Sequence, residues 1–69
     1  MDYIADGDFA NKTSQGIVLV DFYATWCMPC LRMEKQVEEF ASTNSNVSVY
    51  KYDVDRGVQV WNEIKQKHN

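Results

Sequence analysis

The chain has 69 residues and a net charge of −3, with seven basic and ten acidic side chains. That length allows one domain, and the 45% hydrophobic content, with two Trp, four Tyr and three Phe, favours a packed core over disorder. The sequence shows no Lys/Arg cluster, signal peptide or bilayer-length apolar run, so we expect no nucleic-acid or membrane partner and a cytoplasmic location.

The first two predicted elements are short and polar. Tyr3 and Ile4 are typical of a brief strand. Asp8 precedes a polar stretch over residues 9 to 14, and Gly16 follows it. This pattern predicts a helix that Asp8 caps and Gly16 ends.

A longer strand and a longer helix follow. Residues 17 to 23, IVLVDFY, are rich in β-branched and aromatic side chains without polar alternation, a pattern typical of a strand covered on both faces. We therefore expect this strand at the centre of a sheet. Beyond it, apolar residues at helical spacing predict a helix with one core-facing stripe: Cys30, Met33, Val37 and Phe40, with Ala41 beside them. We assign the polar residues of this helix to its other faces: Arg32, Glu34, Lys35, Glu38 and Glu39.

The second half of the chain repeats the alternation. Residues 42 to 46 form a predicted polar loop, and residues 47 to 54, VSVYKYDV, a predicted strand interrupted by Lys51 and Asp53. Asp55 is the expected cap of a third helix, whose apolar side comprises Val60, Trp61 and Ile64. The order β-α-β-α-β-α predicts an α/β fold with right-handed crossovers, an at least partly parallel sheet and helices on both faces.

The only two cysteines, Cys27 and Cys30, are separated by Met28 and Pro29 and fall where the apolar strand turns into the helix. At a helix N-terminus, unpaired backbone N–H groups and the positive end of the helix dipole favour a thiolate, so Cys27 is the candidate nucleophile. Cys30 is near enough to attack a mixed disulfide formed at Cys27, which makes it the candidate resolving thiol. Pro29 suits the first helical turn, where its missing N–H has no partner.

Three other interpretations of the cysteine pair stay open. A zinc site needs about four ligands, and the chain offers two thiols and His68. A purely structural disulfide across so short a loop gains only about 2 kcal/mol in the chain-entropy model. The third interpretation is a pair of inert buried cysteines, which a strand-to-helix corner suits poorly.

Asp21 and Lys51 each interrupt an apolar strand. We expect the Asp21 carboxyl to be partly desolvated, which raises its pKa and suits it to move a proton to or from Cys30; the alternative is a carboxylate bonded to a backbone amide. Lys51 reaches Asp21 if the two strands are neighbours, or else extends to solvent. Trp26 either shields the nucleophile and offers an apolar docking surface or simply packs.

Two segments, VDFYATWCMPC at residues 20 to 30 and VSVYKYDVD at residues 47 to 55, resemble the thioredoxin family in order and separation. A strand Asp, a Trp-Cys-x-Pro-Cys turn, an amphipathic helix and a Lys-bearing strand form a more specific set than a lone CxxC, and the resemblance covers almost the whole chain. It implies a thioredoxin-like three-layer α/β/α fold, incomplete at its C-terminal end.

The same resemblance implies a dithiol oxidoreductase. Cys27 attacks, Cys30 resolves, and Asp21 with Lys51 tunes proton transfer. The implied substrates are protein disulfides, for which the candidate contacts are Trp26, Met28 and Pro29. A thioredoxin reductase is the implied electron donor, and no bound cofactor is needed. The rival interpretation is a non-catalytic, thioredoxin-derived redox sensor or binding module.

The sequence departs from the family pattern at several points. Met28 stands where Gly is common, Tyr23 where many members have Trp, and Lys35 near a frequent helix-kinking Pro. The family's cis-Pro loop would begin about where the sequence stops, so we expect residues 1–69 to be the N-terminal portion of a thioredoxin-like domain. Residues 17–23 then form an apolar edge, and we expect either a fragment of a longer protein or a chain that dimerises or pairs with another segment there.

Overall fold

The computed structural model describes residues 2–67, in which three parallel strands alternate with three helices. The strands are β1 (Asp2–Tyr3), β2 (Ile17–Tyr23) and β3 (Val47–Asp53), and the helices are α1 (Asp6–Lys12), α2 (Met28–Thr43) and α3 (Gln59–Lys67). The predicted α/β class and element order are confirmed. None of the helices within residues 2–67 combines the length and apolar character that a bilayer crossing requires.

The sheet has the strand order β1-β3-β2, so its central strand is β3. Within residues 2–67, β2 lies at an edge of the sheet, as the family resemblance implied. The apolar run alone predicted residues 17–23 at the centre, which was wrong, because an apolar run indicates contact with apolar partners and not the position of a strand in its sheet. Ile17 and Leu19 of β2 are 63% and 39% exposed. The register places Asp21 of β2 directly beside Lys51 of β3.

The two faces of the sheet carry different chemistry, because successive residues of a strand point to opposite sides. Lys51 reaches α2 on one face, whereas its neighbour Tyr52 is fully buried on the other, against α1 and α3. Aromatic rings with centroids 5.2–6.2 Å apart fill that second face: Phe9, Phe22, Tyr52 and Trp61. The apolar core therefore lies between the sheet and the α1–α3 pair, while polar groups lie beneath α2.

The Asp6 carboxylate joins α1 to β3 and α3. Its two oxygens accept four hydrogen bonds of 2.6–3.1 Å, from the Tyr52 hydroxyl and from the backbone N–H groups of Val58, Gln59 and Val60. The first N–H groups of a helix have no acceptor within the helix. At the start of α3 the Asp6 carboxylate is that acceptor, although it lies near the opposite end of the chain. The prediction that Asp55 caps this helix was wrong.

The first helix also begins and ends differently from the sequence prediction. Asp8 is not its cap but lies within the first turn, where its Oδ1 accepts the Ala5 N–H at 2.8 Å. An acidic side chain three residues into a helix commonly makes this backward bond. The helix ends at Lys12, and Gly16 adopts a φ of 73° in the turn before β2, which glycine does without steric cost.

The inward face of α2 matches the predicted apolar stripe at Cys30, Val37 and Ala41 but not at Met33 and Phe40. Met33 and Phe40 are 55% and 39% exposed. The least exposed residues of α2 are Cys30, Glu34, Val37 and Ala41. Glu34, which the pattern places on an outer face, is inward because its carboxylate meets a buried amine there.

We expect Gly57→Ala to destabilise the protein by about 1–3 kcal/mol, the usual effect of overpacking. A Cβ at Gly57 would lie 2.5 Å from the Cζ and hydroxyl oxygen of the buried Tyr52 ring, which is fixed by neighbouring rings. Urea denaturation followed by circular dichroism measures the loss. Gly7→Ala is the matched control: a Cβ there meets nothing within 4 Å, so its stability should not fall. Equal stability of the two variants would contradict the packing argument.

We expect the free energy of unfolding to depend on pH below about pH 4 because of Asp6. The hydrogen bonds from Tyr52 and the α3 backbone lower the pKa of Asp6 below 3.8, so the unfolded chain binds the proton more readily. Stability from this carboxylate is present above about pH 4 and is lost as the pH falls through the folded pKa. We expect Asp6→Asn to lower the melting temperature at neutral pH.

Melting temperatures of wild type and Asp6→Asn, measured from about pH 6 to about pH 3, test this sign. The gap between the two proteins should narrow as the pH falls. The exposed Glu39→Gln variant controls for a general change of net charge. A difference in melting temperature that stays constant across the pH range would contradict the proposed link between Asp6 protonation and stability.

Candidate active site

The two cysteines lie at the junction of β2 and α2 and form a disulfide with a Cα–Cα distance of 5.3 Å. Cys27 occupies the N-cap position of α2, and its Sγ accepts the Cys30 N–H at 3.3 Å. The Cys27 carbonyl oxygen accepts the Leu31 N–H at 3.1 Å, so the helix begins at this residue. The predicted placement of Cys27 at the helix start and Cys30 one turn inward is confirmed.

This placement favours negative charge on the Cys27 sulfur. The backbone N–H of Cys30 already points at it, and the positive end of the helix dipole lies behind it. Both cysteines are half-buried, and Pro29 sits in the first turn of α2. The sulfur of Cys27 thus accepts a backbone hydrogen bond at the start of the helix.

Exposed apolar side chains surround the disulfide. Trp26 and Met28 are 70% and 60% exposed, and Pro29 is also exposed. The indole Nε1–H of Trp26 donates to the Asp55 Oδ2 at 2.6 Å, which ties the cysteine turn to the segment before α3. Sequence reasoning missed this use of Asp55, because a hydrogen bond between residues 29 positions apart leaves no local pattern.

The predicted neighbours Asp21 and Lys51 lie side by side in the register of β2 and β3, on the face of the sheet that α2 covers. The Lys51 ammonium, however, pairs with the Glu34 carboxylate of α2. The Asp21 Oδ2 is buried and has no hydrogen-bond partner within residues 2–67. The structure therefore brings the two predicted residues together without joining them. The alternative interpretation, a backbone bond to the Asp21 carboxylate, is not realised at that oxygen.

Lys51 is enclosed by groups from every strand. It is 5% exposed, and its Nζ lies 4.5 Å from the ring centroid of Tyr23 and 5.5 Å from that of Tyr3. Electron-rich ring faces stabilise a cation at such distances. The alternative of a lysine extended to solvent is excluded by this burial.

The pKa values of the two residues follow from these surroundings. Burial raises the pKa of Asp21; the charge of Lys51 opposes the rise and the charge of Glu34 adds to it. Burial works against the charged form of Lys51, but the hydrogen bond and charge of Glu34 outweigh it and raise the Lys51 pKa. The Lys51 amine therefore stays protonated, and the Asp21 carboxyl holds a proton more readily than an ordinary aspartate does.

Glu34 is the site residue that sequence reasoning missed. One signal was present: Glu34 follows Cys30 by four residues and precedes Val37 by three, so the three share a helix face. A search for hydrophobic residues at helical spacing does not select a carboxylate at such a position. Glu34 points inward because the Lys51 side chain extends from β3 to meet its carboxylate.

A surface groove of about 660 Å³ opens at the carboxyl ends of the strands, the edge of the sheet where the cysteine turn also lies. Its lining includes Tyr23, Thr25, Asp6 and Gly57, but neither cysteine. Within residues 2–67, no three His, Cys, Asp or Glu side chains gather as a metal site would require. His68, the third ligand considered for zinc, lies outside the described residues.

Comparison with known proteins decides the family. The sequence profile of the family Thioredoxin matches residues 2–67. The chain belongs to the thioredoxin family. The resemblance that the sequence motifs suggested is thereby confirmed, and so is the fold it implied.

Relatives and a solved structure agree with this assignment. Thioredoxin of Staphylococcus aureus is 42% identical over 53 residues, covering 75% of this chain and 51% of that protein. Thioredoxin-2 of Saccharomyces cerevisiae is 44% identical over 48 residues, covering 70% and 46%. The crystal structure of chloroplastic thioredoxin z matches with a TM-score of 0.83 at 31% identity, over 94% of this chain and 60% of that one. The chain thus spans about half the length of the curated thioredoxins it matches.

Proposed function

We propose that this chain is a thiol-disulfide oxidoreductase that acts on protein disulfides through Cys27 and Cys30. The observation that carries the proposal is the position of Cys27 as the N-cap of α2, with its sulfur already accepting a backbone N–H. That environment stabilises the thiolate, which is the reactive form of cysteine. Membership of the thioredoxin family supports the same chemistry.

The reaction begins from the reduced dithiol. The Cys27 thiolate attacks one sulfur of a substrate disulfide and expels the other as a thiolate, leaving a mixed disulfide. Cys30 then loses its proton and attacks the Cys27 sulfur, which releases the second substrate thiolate and forms the Cys27–Cys30 disulfide. Two electrons pass to the substrate, so a reductase partner must return two to the protein. A compartment that keeps thiols reduced, such as the cytoplasm, meets that requirement.

Asp21 and Lys51 serve the second step in this proposal. Asp21 lies on the same face of the sheet as the inward side of α2, which begins with Cys30. A carboxyl with a raised pKa is a better base for a thiol than an ordinary aspartate, because efficient proton transfer needs matched pKa values. The positive charge of Lys51 stabilises the ionised form of Asp21 beneath α2.

The substrate contacts the exposed apolar rim formed by Trp26, Met28 and Pro29. Exposed apolar groups beside a reactive sulfur suit an unfolded or extended polypeptide, whose own apolar side chains gain by leaving water. The Asp55 bond holds the Trp26 ring in place, so little side-chain freedom is lost on binding.

Two cysteine variants separate the roles of the thiols. Cys27→Ser should reduce turnover of a protein disulfide to the uncatalysed rate, because the nucleophile is gone. Cys30→Ser should retain the first attack and accumulate a one-to-one mixed disulfide, which mass spectrometry detects and a reducing agent reverses. A mixed disulfide at Cys30 in the Cys27→Ser protein, with undiminished turnover, would reject this assignment. Reversible oxidation of wild type without any turnover would favour the redox-sensor alternative.

We further propose that β2 pairs through its open edge with a second copy of the chain. Within residues 2–67, only β3 flanks β2, and every second backbone amide of β2 faces away from it. The strand, IVLVDFY, contains none of the Lys or Pro residues that commonly protect an edge. Ile17 and Leu19 are exposed apolar side chains on this strand, which such pairing would cover.

Sedimentation velocity at rising protein concentration tests the pairing. We expect a concentration-dependent dimer for wild type and a shift towards monomer for Leu19→Lys, since a charge on an edge strand opposes strand addition. Val58→Lys is the matched control, because Val58 is 57% exposed but lies next to α3. A wild-type protein that stays monomeric at all concentrations would overturn the proposal.

A further inference from the structure

One buried cation faces two carboxylates beneath α2. Lys51 stands beside Asp21 in the strand register, yet its ammonium pairs with Glu34 from the helix above. The Asp21 Oδ2, buried in the same layer, is left without a hydrogen-bond partner among residues 2–67. The Lys51 ammonium thus has two carboxylates near it, and it pairs with Glu34 and not with Asp21.

The groups around this cluster come from every element packed there. Lys51 projects from β3, Asp21 and Tyr23 from β2, Tyr3 from β1 and Glu34 from α2. The cysteines at the start of α2 carry no charge while they are joined in the disulfide. Asp53, two residues along β3 from Lys51, lies beside Tyr23 in the register. With both carboxylates ionised, Asp21, Glu34 and Lys51 alone carry one negative charge in excess, which favours the protonated form of a carboxyl.

Physical differences between the two carboxylates explain why the cation goes to the helix. The Glu34 side chain is 37% exposed, so water shares the solvation of its charge, whereas the free oxygen of Asp21 is buried. Glutamate also has the longer side chain and approaches the ammonium from above the sheet. The rings of Tyr23 and Tyr3 flank Lys51 and help to keep it in that position.

We propose that Glu34 is a positioning residue that holds the Lys51 ammonium away from Asp21 and thereby leaves the Asp21 carboxyl free to exchange a proton. The inference rests on the proposed function in that the proton exchanged is the one that Cys30 loses in the second step. In the proposed mechanism Glu34 touches neither the substrate nor a cysteine sulfur. It acts through Lys51, and its negative charge next to Asp21 works in the same direction.

Loss of Glu34 should turn the neighbours Asp21 and Lys51 into an ion pair. The ammonium then has one carboxylate to satisfy, and the repulsion from Glu34 is gone. Both changes favour ionised Asp21 and lower its pKa, because a nearby positive charge stabilises a carboxylate and a nearby negative charge opposes it. A less basic Asp21 takes the Cys30 proton less readily, so the second step slows at neutral pH.

The direct test is the titration of the Asp21 carboxyl carbon by ¹³C NMR in the disulfide form of the intact chain. We expect Glu34→Gln to lower the midpoint by about one pH unit or more. Glu38→Gln is the matched control: it removes the same charge from an exposed position of α2 and should leave the midpoint where it is. An unchanged or raised midpoint in Glu34→Gln would overturn the proposal. This titration needs no turnover, so its outcome is independent of the proposed oxidoreductase activity.

A second comparison tests whether Glu34 acts through Lys51. In a Lys51→Met background, Glu34→Gln should shift the Asp21 midpoint less than it does when Lys51 is present, since only the direct repulsion remains. Equal shifts in the two backgrounds would show that Glu34 holds no cation away from Asp21, and would reject the positioning role. The amide NMR spectrum reports whether the Met variant keeps the fold, and Lys51→Gln offers the same comparison if it does not.

Single-turnover kinetics give the functional reading. The resolution of a mixed disulfide by Cys30 should slow at neutral pH in Glu34→Gln, while the initial attack by Cys27 keeps its rate. A structural defect would slow both steps together. Loss of the first step alone, with resolution unaffected, would contradict the inference.

Discussion

The Asp6 carboxylate is the polar contact that joins three elements of the fold. Asp6 accepts hydrogen bonds from the Tyr52 hydroxyl of the central strand and from successive backbone amides at the start of α3. Burial and the bond to Asp6 raise the pKa of Tyr52 to about 12, so the phenol remains a donor at every physiological pH. The contact therefore fixes α1, β3 and α3 to one another and closes the apolar face of the sheet.

The alternation of side chains along β3 places apolar packing on one face of the sheet and charged groups on the other. Tyr52 belongs to the apolar face with Phe22 and Trp61, whereas Lys51, one residue earlier, belongs to the polar layer under α2. Structural and chemical demands are thus met on opposite sides of one strand. The apolar face can be packed for stability without disturbing the charges that lie near the cysteines.

Local pattern in the sequence was sufficient for the order of elements and for the placement of both cysteines. The turn from an apolar strand into an amphipathic helix, with Pro29 in the first helical turn, fixes where Cys27 must lie. Pattern was insufficient wherever a residue takes its role from a distant partner. Asp6 and Asp55 are both acidic residues near helices, and only the tertiary contacts show that Asp6 caps α3 while Asp55 holds Trp26. Glu34 is inward for the same reason, and the edge position of β2 depends on which strands flank it.

The bonds between Asp6 and the start of α3 join residues 52 to 54 positions apart. Contacts of such long separation slow folding, because a long loop must close before they contribute any stability. During synthesis on the ribosome, the bonds between Asp6 and the start of α3 cannot all form until residue 60 has left the exit tunnel. Cys27 and Cys30 are synthesised before residue 60, so the nascent chain carries both thiols before α3 can cover the apolar face of the sheet.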